Sequence, residues 1–156
     1  MRFTYLQGRE LSPEPSLGGS VQRFRPIVVA QLHGPADHLA GEVILDSSAD
    51  ETLLPAAWAA RVGIDLTHAQ TREIGLVTRK PILVRYAEAE LSLSDGHDTC
   101  RWKAVFGFVP PGVLKRGLIG YAGGLQFFDV TFRGFAREVI LARNPSFPDD
   151  PGGPEA

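Results

Sequence analysis

With 156 residues, 44% hydrophobic and 22% charged, the chain is long enough to close one core and too ordinary in composition for a disordered or fibrous protein. A formal net charge of -2 and scattered basic residues argue against a nucleic-acid-binding surface, so no nucleic acid is expected as a partner. The single cysteine, Cys100, excludes an intrachain disulfide framework and fits a reducing compartment.

Residues 1–24 contain Leu11-Ser12-Pro13-Glu14-Pro15 and Leu17-Gly18-Gly19-Ser20, turn residues without a sustained period, and read as an extended arm. No apolar stretch precedes Arg9 and Glu10, so no signal peptide is expected. No apolar run approaches the roughly 20 residues of a membrane span. A cytoplasmic protein without a membrane partner is the expectation.

A domain is expected over 25–143. Pro26 to Leu32, β-branched and ending before Gly34-Pro35, pairs naturally with Gly41 to Leu45 as a hairpin. Pro55 to Val62 reads as a short helix, with proline at its start and Gly63 as its stop. Val84 to Ser94 alternates apolar and polar residues, Asp95-Gly96 marks a tight turn, and Trp102 to Val109 returns. Gly120 to Gln126 is a second candidate helix, weakened by Gly123 and Gly124. Phe127 to Phe132 and Glu138 to Leu141 form a last pair, and 144–156, rich in Pro, Gly and Asp, reads as a disordered tail. Many short strands with one or two short helices predict an all-β fold built as a small closed β barrel.

The stretch that carries chemistry is Val43-Ile44-Leu45-Asp46-Ser47-Ser48-Ala49-Asp50-Glu51-Thr52-Leu53-Leu54-Pro55. An apolar strand ends abruptly in a carboxylate, which is costly to bury unless it is hydrogen-bonded or shares a proton. Taken alone, Asp46 reads as a turn residue. With its neighbours it resembles the active-site loop of retropepsin-like (retroviral-type) aspartic peptidases: apolar residues, Asp, Thr or Ser, Gly, Ala, often Asp, then an apolar run. Downstream, Gly117-Leu118-Ile119-Gly120, a short helical segment and Phe128-Asp129-Val130-Thr131-Phe132 resemble the family's second motif and closing strand. The likeness spans about residues 24–142 and is similar to the bacterial, stand-alone members.

The resemblance implies a retropepsin-type barrel and an aspartic endopeptidase active as a homodimer on a peptide or protein substrate, without metal or cofactor. It implies Asp46 as the catalytic carboxylate, with Ser47, Ser48 and Ala49 supporting the loop. Asp50, Gly75, Leu76 and Ile119 would contact substrate, under a hairpin flap over Ile74 to Arg85 with its tip near Gly75 to Lys80. Asp50 would face Arg25 of the partner subunit. Ser48 stands where the family has Gly, and Tyr121 where many members have Arg. A catalytically impaired peptide-binding or dimerisation module is therefore the alternative, and an unrelated β-barrel binding domain the third reading.

Other constellations are weaker. His33, His38, His68 and His97 match no ligand spacing, so no metal is expected. Gly117 to Gly124 lacks the Lys-Ser/Thr ending of a phosphate loop, and Ser47 and Ser48 lie in no Gly-x-Ser-x-Gly elbow. Cys100 beside Arg101 reads as a structural thiol.

Overall fold

The computed structural model describes residues 1–76 and 79–148. Strands make up 59% of it, so the expected mainly-β class is what is observed. In chain order the strands are β1 (Arg2–Thr4), β2 (Leu6–Glu14), β3 (Ser20–Arg25), β4 (Ile27–His33), β5 (His38–Leu45), β6 (Leu53–Pro55), β7 (Gln70–Leu76), β8 (Arg79–Ser94), β9 (Thr99–Val109), β10 (Gly117–Ile119), β11 (Phe128–Arg133) and β12 (Glu138–Arg143). One α-helix, α1 (Ala56–Val62), follows β6.

β4, β5, β10, β6, β9 and β8 form a ring of six strands, closed because β4 pairs with β8 as well as with β5. β4 shows why the ring has an inside. Val28, Ala30 and Leu32 alternate inward, and the register Ala30↔Leu93 and Leu32↔Leu91 meets two fully buried leucines of β8. Trp102, Phe106 and Phe108 of β9 fill the same interior. The Trp102 indole N–H donates to the Gly123 carbonyl at 2.9 Å, so the largest core side chain buries no orphan donor. Gly41 of β5 leaves room for the helix: a Cβ there would collide with the Trp58 ring of α1.

α1 begins after Pro55 and ends at Gly63, whose φ of +79° is the left-handed cap that glycine adopts without a Cβ penalty. The second expected helix is only a 3-10 turn, Leu125–Phe127. Gly123, at φ +75°, and Gly124, at φ -145° and ψ -95°, break helical backbone in the middle of the segment.

Residues 1–25 form β1, which pairs with β12, and a β2–β3 hairpin that makes a two-stranded sheet of its own among the described residues. Residues 144–148, read from composition as the start of a tail, fold back so that Phe147 meets Trp102 and Phe128 edge-on. The rest of that tail, 149–156, lies outside the described residues. Among the described residues no helix is long and apolar enough to cross a membrane.

Candidate functional site

The two motifs singled out in the sequence meet in space. β10 lies between β5 and β6, parallel to β5 with Leu118 opposite Ile44, and this sets Asp46 directly beside Ile119. The Asp46 N–H donates to the Ile119 carbonyl at 3.0 Å. The next residues are laced to the segment after β10: Tyr121 N–H to Ala49 O at 2.8 Å, Ala122 N–H to Asp50 O at 2.9 Å, and Thr52 N–H to Ala122 O at 3.0 Å. Gly120 makes this close approach possible, because a Cβ there would run into the carbonyl oxygens of Glu51 and Ala49. A loop that carries a carboxylate is thereby held by backbone at both ends.

Asp46 is half-buried at the floor of a cleft of about 610 Å³. One carboxylate oxygen, Oδ1, accepts both the Ser48 N–H at 2.9 Å and the Ser48 hydroxyl at 2.6 Å. Oδ2 takes no hydrogen bond among the described residues. Ser48 does not strain the backbone: among the described residues Arg137 is the only non-glycine residue with positive φ. Ser47 is exposed, and its hydroxyl has no partner among the described residues.

The cleft wall opposite Asp46 is β7 of the β7–β8 hairpin, which contributes Arg72, Glu73, Ile74 and Gly75 to the lining. Val77 and Thr78, at the expected flap tip, lie outside the described residues, and Leu76 is described only as pairing with Arg79 at the hairpin end. Of the other residues expected to contact substrate, Asp50 and Gly75 line the cleft. Ile119 does not. It is 1% exposed and points into the core, while Leu118, on the other face of the same short strand, lines the cleft instead. Arg25 meets Glu10 of the N-terminal hairpin at 2.7 Å, and Tyr121 is exposed.

The sequence reading missed one cluster. The Glu51 carboxylate accepts from Arg72 of β7 at 2.6 Å and from the Tyr86 hydroxyl of β8 at 3.0 Å, and the Arg72 guanidinium lies 5.6 Å from the Tyr86 ring centroid. Burial, then the hydrogen bond to Glu51, pushes the Tyr86 phenol above its ordinary value, so it remains a donor. The cluster joins the Asp46 loop to the hairpin across the cleft. The second acidic pair, Asp50-Glu51, was its one sequence signal; the partners lie 21 and 35 residues away. The histidines form no ligand set: among the described residues no group of three or more His, Cys, Asp or Glu could hold a metal ion.

No family model matches the sequence, and no curated protein matches it. Among solved structures the chain is similar to the crystal structure of a retropepsin-like aspartic protease from Rickettsia conorii, with a TM-score of 0.52 and 17% identity. The match covers 89% of this chain and 95% of that one. What this likeness shows is a shared fold.

Proposed function

We propose that this chain is an aspartic endopeptidase of the retropepsin-like type, in the manner of the bacterial, stand-alone members, and that it acts as a homodimer. The observation that carries the reading is Asp46 itself. It is a carboxylate at the end of an apolar strand, held by its backbone against β10 and lining a cleft walled by a hairpin, with one oxygen taking no hydrogen bond among the described residues. Its fold is like that of a solved aspartic protease.

The chain carries one such loop and the chemistry needs two carboxylates. A two-fold axis supplies the second, bringing Asp46 of the partner subunit alongside. Two carboxylates about 3 Å apart do not both ionise, so the pair holds one proton and titrates as a unit. The ionised member takes a proton from a bound water, whose oxygen attacks the scissile carbonyl carbon. The protonated member donates to the oxygen that gains charge. Substrate lies as an extended strand between the loop and the hairpin, through main-chain hydrogen bonds and contacts with Asp50 and Gly75. Ser47, exposed and without a side-chain partner among the described residues, braces the loop across the axis. A single cysteine supports a reducing, cytoplasmic setting.

The test is a cleavage assay on a peptide library from about pH 4 to 7, wild type beside Asp46→Asn. Turnover in the wild type and none in the variant is the expected result. Equal, negligible turnover in both overturns the peptidase reading and leaves a non-catalytic peptide-binding or dimerisation module.

A further inference from the structure

We infer that Ser48 is a positioning residue that decides which oxygen of Asp46 carries the shared proton; this rests on the peptidase reading above. The geometry is specific. Oδ1 accepts two hydrogen bonds from one residue, backbone N–H at 2.9 Å and hydroxyl at 2.6 Å, while Oδ2 accepts none among the described residues. Any residue at position 48 could supply the N–H. The hydroxyl is the contribution of serine, at a position where the resembling family has none.

An oxygen that already accepts two donors is a poor place for a proton, because a carboxylic O–H there would point at another hydrogen. The proton of the dyad therefore resides on Oδ2 of one subunit or the other. The same two bonds fix rotation of the carboxyl group and leave Oδ2 as the oxygen available to the water and the scissile carbonyl. Hydroxyl hydrogen bonds to charged oxygens are shorter and stronger than neutral ones, and the 2.6 Å separation falls in their range. Ser48 is exposed and its φ is not positive, so the side chain is held by this contact and not by packing or strain. The position that looks like an obstruction beside the family pattern is in this chain a second clamp on the carboxylate.

The test compares Ser48→Ala, Ser48→Gly and Ser48→Thr with the wild type, as steady-state kinetics on one cleaved peptide. Losing a hydrogen bond to a charged group predicts a fall in kcat of roughly tenfold or more for Ala and Gly, with KM within about twofold. Thr keeps the hydroxyl and should stay within about threefold of wild type in kcat. Thermal unfolding of each variant checks that the fold is intact. A kcat for Ala or Gly at or above that of the wild type, as an obstructing Ser48 would give, overturns the inference. So does a loss that Thr fails to rescue. The two failures are separable. An active wild type with a dead Asp46→Asn and an unchanged Ser48→Ala removes only the role of Ser48. An inactive wild type removes both.

Discussion

At Gly120 a methyl group would be driven against the carbonyl oxygens of Glu51 and Ala49, backbone atoms in a loop held by the Tyr121 N–H on Ala49 O and the Ala122 N–H on Asp50 O. The obstacle cannot swing aside as a flexible side chain could, so Gly120→Ala should destabilise the fold by about 1–3 kcal/mol or more. Gly75 gives the control. Nothing lies within 4 Å of its would-be Cβ, and its φ is not positive, so Gly75→Ala should leave stability within about 0.5 kcal/mol. Urea unfolding of both variants checks the pair, and equal stability of the two would deny that the loops are locked at Gly120. What was legible at this scale was residue type. The sequence marked Asp46 and Gly120 by pattern, yet only geometry shows that the glycine guards the loop following the aspartate. It did not show that Ile119 turns into the core, because a three-residue strand is too short to reveal which face turns inward.

The hairpins were readable because alternation and turn residues are local signals: β4–β5, β8–β9 and β11–β12 all fall where the pattern put them. The insertion of β10 between β5 and β6 and the closure of β4 onto β8 were not readable, since each joins segments more than 50 residues apart along the chain. The Glu51–Arg72–Tyr86 cluster belongs with these non-local features. β8 runs 16 residues, so the strand that frames the cleft is continuous with the ring, and the cluster ties its neighbour β7 to the Asp46 loop. Arg72 is 62% exposed in its side chain, so the ion pair adds little to global stability. Its effect falls on the hairpin. Glu51→Gln should leave the thermal midpoint within about 2 °C while KM for a cleaved peptide rises severalfold, roughly 3- to 10-fold. Steady-state kinetics beside a thermal melt checks this, and an unchanged KM would show that the hairpin holds its place without the cluster.

For the whole molecule the decisive quantity is the number of Asp46 residues per site. A monomer offers one, with Oδ2 unengaged among the described residues, and a proton-sharing pair requires its copy. Subunit exchange tests this without an assembled structure. If dimers exchange freely, adding an equal amount of Asp46→Asn to the wild type leaves about a quarter of all dimers fully wild type, from twice the total, so activity falls to about half. A ninefold excess lowers it to roughly a tenth by the same pairing statistics. A site complete within one chain would lose nothing at either ratio. The experiment also reads dimer strength: activity per chain that falls on dilution locates the concentration at which the pair dissociates, since an obligate dimer and its activity vanish together. A wild type indifferent both to the variant and to dilution would have a site complete within one chain, and the symmetric mechanism would have to be abandoned.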